Sequence, residues 1–292
     1  MPLAMGRLRI EIGKDLLILS GAMFCDKVAI ITGASSGLGA ALALELAKQG
    51  AHLALFARRE DKLGEMAEQC RRLGAEVVTV VGDVTQAEDC EQLVEATIAE
   101  FGRIDYLIAN AGISMWARFD EVEDLGVFRK LMETNYLGLV YCVHAALPHL
   151  KISKGMIVAI ASLQGKFGVP LHTGYGASKH AVLGFLNALR LEVEDVHVLA
   201  VLPHWLQGTN LRRHAFGKDG EALGDSSQRH NKEALSLVYC CAAILKAMRK
   251  QRRELVLPWH HRALPYLQLI HPKIVEWLVR RKMRDQGLGD MA

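Results

Sequence analysis

The stretch VAIITGASSGLG, residues 28–39, carries the strongest fold signal in the chain. Its apolar start, residues 28–31, is typical of a buried strand, and a helical pattern from Leu38 to Gln49 follows the glycines. Glycines at such a junction let the backbone turn sharply and approach a ligand, and the free N–H groups of the helix bind an anion. The stretch therefore predicts a pyrophosphate-binding loop, with a purely structural tight turn as the alternative.

Apolar runs and helical patterns alternate along the rest of the chain. Further strands are predicted at residues 52–56, 77–81, 106–109, 156–161, 196–202 and 254–257, and further helices at residues 59–73, 87–101, 127–147 and 175–193. Continuous apolar strands that alternate with helices form a parallel sheet covered on both faces. We therefore predict an α/β fold, a single Rossmann-type, doubly wound parallel sheet of about seven strands with helices on both faces.

The composition is that of a globular protein, with 51% hydrophobic and 23% charged residues. A net charge of +3 argues against nucleic-acid binding, which needs a concentrated basic surface. Six scattered cysteines without a CxxC pair favour reduced, mostly buried thiols, and no metal site is expected. The apolar run at residues 16–19 is too short to span a bilayer and lacks the features of a secretory leader, so we expect a cytoplasmic protein.

Two arginines, Arg58 and Arg59, follow the second predicted strand, where a Rossmann-type fold meets the adenosine ribose of its ligand. NAD-selective sites carry a carboxylate at this point, and this sequence has none. Guanidinium groups suit a 2′-phosphate, and a cation at a helix start is unfavourable unless an anion is bound. The pair therefore predicts NADP (NADPH) as the cofactor, with solvent-exposed arginines at a helix start as the alternative.

Tyr175 and Lys179 are four residues apart and therefore share one face of a predicted helix. A free phenol titrates near pH 10, and an adjacent ammonium group lowers that pKa, so the phenol can exchange protons closer to neutral pH. Chance can supply such a spacing. Ser162 adds weight because it ends the fifth predicted strand, at the carboxyl edge where open α/β sheets bind ligands.

Taken together, the motifs resemble those of the classical short-chain dehydrogenases/reductases (SDRs), and Arg58 resembles the basic residue of the NADP-preferring type. The matching features cover about residues 26–205 in the order of the TGxxxGxG loop (residues 32–39), Asp83, Asn110-Ala111-Gly112, Asn135, Ser162, Tyr175 and Lys179. The resemblance implies an NADP(H)-dependent oxidoreductase that interconverts a secondary alcohol and a ketone or aldehyde by hydride transfer.

The resemblance also implies roles for individual residues. Tyr175 would be the general acid/base, Lys179 would lower its pKa and hold the nicotinamide ribose, and Ser162 would hydrogen-bond the substrate oxygen. Asn135 would position a water that links Lys179 to solvent, Asp83 would contact the adenine, and Asn110 would contact the adjoining ribose region. The implied cofactor-binding residues are Gly33, Ser35, Ser36, Gly37, Leu38, Gly39, Arg58, Arg59, Asp83, Val84, Asn110, Ala111, Gly112, Tyr175, Lys179, Pro203 and Thr209.

One segment departs from the family pattern. The family usually has Pro-Gly-x-x-x-Thr after the sixth strand, whereas this chain has PHWLQGT at residues 203–209. His204 replaces the glycine, and Thr209 comes one residue late. We interpret His204 as a residue that packs or that bonds the nicotinamide carboxamide, with an additional catalytic base as the alternative.

The expected substrate pocket is largely apolar, which predicts a lipid-like, steroid-like or aromatic substrate. Its predicted lining is Gln164, Phe167, Val169, Pro170, Leu171, Trp205 and Leu206, and the expected substrate contacts are Ser162, Gln164, Tyr175 and Trp205. The competing hypothesis is a non-catalytic NADP(H)-sensing or scaffold protein on the same fold. Family analogy alone suggests a homodimer or homotetramer.

The predicted organisation has three parts: an N-terminal extension (residues 1–25), the catalytic domain (residues 26–262) and an amphipathic basic tail (residues 263–292). Within the domain, the polar, glycine-rich segment 206–231 is expected to be a mobile substrate loop, with a surface loop of no role as the alternative. The tail suits peripheral contact with a membrane surface, or packing against the body or a second subunit.

Overall fold

A computed structural model describes residues 23–224 and 234–285. Most of the predicted N-terminal extension, residues 225–231 of the predicted loop and residues 286–292 of the predicted tail lie outside the described residues. The described chain forms one parallel sheet of seven strands: β1 (Val28–Thr32), β2 (His52–Ala57), β3 (Val77–Val81), β4 (Tyr106–Ala109), β5 (Met156–Ile160), β6 (His197–Pro203) and β7 (Glu254–Leu257). The predicted fold class is confirmed, including the seventh strand.

Helices connect the strands and continue beyond the last one. They are α1 (Gly37–Ala47), α2 (Glu60–Arg72), α3 (Ala87–Phe101), α4 (Gly126–Met132), α5 (Gly138–Ser153), α6 (Thr173–Glu192), α7 (Leu237–Arg249), α8 (Leu264–Ile270) and α9 (Pro272–Asp285). Two core clusters show how they pack. Helices α1, α2 and α7 cover one face of the sheet, and α3, α5 and α6 cover the other. None of the described helices has the length and apolarity needed to cross a membrane.

The strand order, β3-β2-β1-β4-β5-β6-β7, reverses direction at β1. β1 pairs with β2 on one side, where Val28 is level with His52, and with β4 on the other, where Ala29 is level with Tyr106. The connections after β1 and β4 therefore leave the sheet on opposite faces. Open α/β sheets bind ligands in the crevice that such a reversal creates at the carboxyl ends of the strands.

The helix predicted at residues 127–147 is interrupted. A π-helical segment, Glu133–Leu137, separates α4 from α5 and contains the buried Asn135. An inserted π turn shifts the phase of the side chains that follow, and such turns often occur at functional sites. The apolar pattern gave no sign of the insertion because it continues on both sides.

Asp105 joins the amino ends of three strands on the side of the sheet opposite the crevice. Its buried carboxylate accepts hydrogen bonds from the Val28 N–H (3.0 Å), from Lys27 Nζ (3.2 Å) and from Arg103 Nε (2.8 Å). Its backbone N–H donates to Val28 O, and its carbonyl accepts from the Met156 N–H. One residue thus connects the starts of β1, β4 and β5.

We expect Asp105→Ala to lower the free energy of unfolding by about 1–3 kcal/mol, because it leaves a buried N–H of β1 without an acceptor. Urea denaturation followed by circular dichroism measures the change. The matched control is Glu65→Ala, which removes an exposed ion pair with Lys62 and is expected to cost about 0.3–0.5 kcal/mol. Equal losses in the two variants would contradict the role of Asp105 in the sheet.

Candidate active site

The glycine-rich loop connects β1 to the first turn of α1 at the crevice. Gly33 and Gly37 have φ angles of +65° and +58°, in the left-handed region that favours glycine. At Gly39, a Cβ atom would lie 2.5 Å from the Gly33 carbonyl oxygen, so only glycine allows this approach of the helix to the strand. The free N–H groups at the start of α1 therefore open toward the crevice.

Asn110 holds this loop against the end of β4. Its side-chain amide donates to the carbonyl oxygens of Thr32 (3.0 Å) and Gly33 (3.3 Å). In return, the Thr32 hydroxyl accepts from the backbone N–H groups of Asn110 and Ala111, both at 3.0 Å. The carboxyl ends of β1 and β4 are thereby joined, and the Asn110 amide already has partners within the protein.

A cluster of positive groups lies beside the glycine loop. Arg59 donates to the Ser35 hydroxyl (3.2 Å), and the exposed Arg58 is 3.5 Å from the Asp83 carboxylate. Partial burial lowers the pKa of His214, from the segment after β6, and the nearby charges of Arg59, Arg213 and Arg58 lower it further. The sequence predicted the two arginines after β2. Arg213 and His214 were missed because they lie about 155 residues later in the chain.

The described part of the predicted loop, residues 206–224, contacts both ends of the crevice. A Cβ atom added at Gly37 would lie 3.5 Å from the Thr209 methyl group, so Thr209 lies against the glycine loop. Further along, the Phe216 N–H donates to Ser114 O (2.9 Å), and the Trp116 N–H donates to Phe216 O (2.8 Å). The segment therefore packs over the connection that follows β4.

Tyr175 lies in the first turn of α6 with its phenol buried. Burial raises the pKa of the phenol to about 12, and the Ser162 hydroxyl beside it opposes this rise. The sequence led us to expect a pKa lowered by Lys179. In the structure burial dominates, since Lys179 Nζ lies 5.7 Å from the centre of the Tyr175 ring. At neutral pH the phenol is therefore protonated.

Lys179 lies one turn further along α6 and is also buried. Its ammonium group donates to Ile160 O at the end of β5 (2.9 Å), and burial lowers its pKa to about 8. Most of the group is therefore still charged at pH 7. A buried ammonium group with a single hydrogen bond among the described residues remains able to bind a second oxygen acceptor.

Asn135 projects from the π-helical segment toward the same place. Its side-chain carbonyl accepts from the Ile113 N–H (2.8 Å), and its amide donates to Ile113 O and to the Ser178 hydroxyl, both at 2.9 Å. A cavity of about 10 Å³, the space of one water molecule, lies beside Asn135, Lys179 and Ile160. The π turn thus brings the amide to within one water molecule of the ammonium group.

Ser162 follows β5 and starts a short helical turn, Leu163–Gly165. Its hydroxyl accepts from the Gln164 N–H (3.2 Å) and is adjacent to the Tyr175 phenol. The side-chain carbonyl of Gln164 is buried and has no hydrogen-bond partner among the described residues. The Ser162 hydroxyl is therefore the polar group beside the Tyr175 phenol, and the turn that follows it holds a buried carbonyl group.

His204 contacts its neighbour Trp205 and the segment that follows β7. Its Nδ1 accepts from the Trp205 N–H (2.6 Å), and its ring lies 4.9 Å from that of His261, which follows β7. Burial, with Lys282, His261 and His260 nearby, lowers its pKa to about 3. This neutral ring packs between the end of β6 and the C-terminal segment, which agrees with the packing interpretation.

An aromatic cluster that the sequence analysis missed lies next to Tyr175. The buried His172 ring is 6.1 Å from the Tyr175 ring, 4.7 Å from Trp116 and 5.7 Å from Trp205. The Arg212 guanidinium lies 4.2 Å from the centre of the Trp116 ring. Of His172, Trp116, Trp205 and Arg212, the sequence analysis names only Trp205. The His172 position, three residues before Tyr175, was the one local signal available.

The remaining predicted pocket residues are divided. Leu171 is near the site, buried against Met283 of α9 and Trp116. Phe167 and Val169 instead pack into the core cluster under α3, α5 and α6, and Leu206 packs on the opposite cluster. Pro170 contributes its carbonyl oxygen to His172 Nδ1 (2.9 Å). Neighbouring residues of the segment 163–171 therefore have different surroundings, which a pocket prediction from the local sequence could not distinguish.

The other predicted cofactor residues lie at the carboxyl edge of the sheet. Val84 and Ala111 line the cavity beside Lys179. Asp83 accepts from the Thr85 N–H (3.0 Å) beside Arg58. Pro203 is the last residue of β6, level with Leu257 of β7. Gly112 is close to Asn135 and Lys179, because an added Cβ would lie 3.1 Å from Asn135 Oδ1 and 3.7 Å from Lys179 Nζ.

Comparison with known proteins finds dehydrogenases and reductases as relatives. A family model described as short chain dehydrogenase matches residues 27–219. The "11-beta-hydroxysteroid dehydrogenase 1A" of Arabidopsis thaliana is 37% identical over 257 residues, which cover 86% of this chain and 74% of the relative.

Two solved structures share the fold. An alcohol dehydrogenase from the archaeon Thermococcus sibiricus, complexed with 5-hydroxy-NADP, aligns with a TM-score of 0.67 at 29% identity, over 79% of this chain and 95% of that one. A short chain dehydrogenase/reductase from Burkholderia phymatum, in complex with NAD, aligns with a TM-score of 0.76 at 25% identity, over 86% and 95%. The chain belongs to the short-chain dehydrogenase family and is an oxidoreductase that interconverts alcohol and carbonyl groups.

Proposed function

We propose that this protein is an NADP(H)-dependent oxidoreductase of secondary alcohols and ketones or aldehydes, with Tyr175 as its general acid/base. The observation that carries the proposal is the convergence of a protonated phenol, a buried ammonium group and a hydroxyl at the crevice beside the glycine loop. The bound nicotinamide cofactor supplies or accepts the hydride. A non-catalytic NADP(H)-sensing protein would not need these three groups together.

The residues divide the proton transfer among them. During reduction, Tyr175 gives its proton to the carbonyl oxygen, and Ser162 donates a hydrogen bond to the same oxygen. The phenolate left behind is buried, so it needs the positive charge of Lys179 nearby. Asn135 and the water-sized cavity beside Lys179 provide the path by which a proton returns from solvent. Oxidation of an alcohol follows the same path in reverse.

NADP(H) is favoured over NAD(H) by charge. The glycine loop and the start of α1 suit a pyrophosphate, and Asn135, Tyr175 and Lys179 lie further along the same crevice. Arg58, Arg59 and Arg213 supply positive charge beside Ser35, with the neutral imidazole of His214 close by, and such charge suits a 2′-phosphate. The cofactor named for the Thermococcus sibiricus structure is also of the NADP type.

An apolar, ring-containing substrate fits the wall on the far side of Tyr175. Trp116, Trp205 and His172 contact one another there, and Leu171 and Met283 pack with Trp116, so this wall consists mostly of apolar groups. Hydroxysteroid dehydrogenases among the relatives act on substrates of that shape, as their name states. We propose a steroid-like or other lipid-like alcohol or ketone, handled by a catalytic domain of residues 26–262. The predicted homo-oligomer stays a prediction.

Tyr175→Phe is expected to reduce kcat about 10²–10⁴-fold, because it removes the proton donor and leaves the ring in place. The measurement is NADPH oxidation at 340 nm with a steroid ketone, after a screen of ketones and alcohols with both nicotinamide cofactors. Tyr106→Phe is the matched control, since Tyr106 is also buried but starts β4 at the amino edge of the sheet. Unchanged turnover in Tyr175→Phe would reject the mechanism.

The pH dependence of reduction is expected to follow Lys179. Its pKa of about 8 lies below that of Tyr175 at about 12, so raising the pH removes the ammonium charge while the phenol remains protonated. We expect kcat/KM for the ketone to fall above about pH 8, approaching tenfold per pH unit. Lys179→Arg, which stays charged, is expected to move this limb upward. A flat profile to pH 10 would count against the assignment.

The double variant Arg58→Gln/Arg59→Gln is expected to raise the KM for NADPH about 10²–10⁴-fold and to leave the KM for NADH nearly unchanged. The physical reason is that charge-assisted hydrogen bonds to a phosphate contribute about 1.5–3 kcal/mol each. Steady-state kinetics with both cofactors test this, with Arg72→Gln at the far end of α2 as control. Equal changes in the two KM values would contradict the 2′-phosphate site.

A further inference from the structure

The C-terminal helical pair, α8 and α9 with the short turn Trp259–Ala263 before them, carries a concentration of exposed apolar side chains. Seven of the sixteen large hydrophobic residues exposed in the described chain fall within residues 259–278: Trp259, Tyr266, Leu269, Ile270, Ile274, Trp277 and Leu278. Leu269 is 82% and Ile270 71% exposed. We call these seven residues the tail face. Exposed apolar side chains concentrated in this way often mark a surface that binds a partner or a membrane.

The opposite side of α9 is anchored to the protein. Val275, Val279 and Met283 recur every four residues and are buried or partly buried, with Met283 against Leu171 and Trp116 of the aromatic cluster. This packing fixes the orientation of the helix. Ile274, Trp277 and Leu278 are therefore directed outward by the folded structure itself.

The charge of this segment restricts what can cover the tail face. Residues 259–285 contain six Arg or Lys and only two acidic residues. Arg281 shares the outward side of α9, where its guanidinium lies 5.3 Å from the centre of the Trp277 ring. A symmetric contact between two copies would bring these positive charges together. Trp and Tyr beside aliphatic residues, with cations alongside, instead match the headgroup region of an anionic lipid bilayer.

We propose that the tail face docks on the surface of a bilayer containing anionic phospholipids, with α8 and α9 lying in the plane of the interface. The apolar side chains enter the boundary between headgroups and acyl chains, while Lys273, Arg280, Arg281 and Arg284 reach the lipid phosphates. The inner side of α9 forms part of the aromatic wall near Tyr175. In a consequence that rests on the proposed function, a lipid-like substrate would reach the site from the bilayer.

The test is flotation of the full chain with vesicles of phosphatidylcholine alone or with 30% phosphatidylglycerol. We expect binding to the anionic vesicles, weakened by salt and much weaker on phosphatidylcholine alone. Arg281→Gln/Arg284→Gln should lower the partition coefficient about 25-fold, at about fivefold per cation. Leu269→Ser/Ile270→Ser/Trp277→Ser should abolish flotation.

The control variants place the same chemical changes at the amino edge of the sheet, opposite the tail. Ile152→Ser/Leu191→Ser removes exposed apolar side chains at the ends of α5 and α6, and Arg72→Gln/Lys151→Gln removes exposed cations. Both should float like the unchanged protein. Turnover of a water-soluble ketone without vesicles should be retained in every variant, so the docking result stands apart from the proposed function.

Two results would overturn the proposal. One is that the unchanged protein fails to float with anionic vesicles at low salt. The other is that the apolar tail variant floats normally but changes from a dimer to a monomer in light scattering, since the tail face would then be a subunit interface. Loss of flotation in the tail variants alone, with unchanged circular dichroism spectra, supports membrane docking.

Discussion

The reciprocal hydrogen bonds between Thr32 and the Asn110-Ala111 segment are the contact on which the site depends. They join the carboxyl ends of β1 and β4 at the point where the strand order reverses. The glycine loop leaves β1 on one side of this junction, and the connection that leads to Trp116 leaves β4 on the other. Because the junction is fixed from both strands, the free N–H groups of α1 face the same crevice as Tyr175 and Lys179.

Within that crevice, burial shifts the pKa values of the two central groups in opposite directions. Burial favours the neutral forms of both Tyr175 and Lys179, raising one pKa and lowering the other. The phenol is thus kept protonated and able to donate, while the pKa of the ammonium group lies close to neutral pH. A site arranged in this way suits proton donation to a carbonyl oxygen, because the positive charge gains value when the phenolate forms in a poorly solvated environment.

The C-terminal segment is connected to this site through its packing. His204, where the family has glycine, contacts His261, and Met283 contacts Leu171 and the aromatic cluster. A single helix, α9, therefore contributes to the pocket wall with one side and to the tail face with the other. The imidazole at residue 204, at the end of β6, fills space next to the segment that follows β7.

The sequence by itself determined the fold class, the order of the strands and helices and the positions of Tyr175, Lys179 and Ser162, because strand and helix periodicity and short motifs are local properties. Tertiary structure alone decided the π turn that carries Asn135, the balance of burial that sets the Tyr175 pKa, and the addition of Arg213 and His214 to the arginine pair. It also separated Phe167 from Leu171. These features depend on groups distant in the sequence that meet only when the sheet forms, and a local pattern carries no record of which distant groups will surround it.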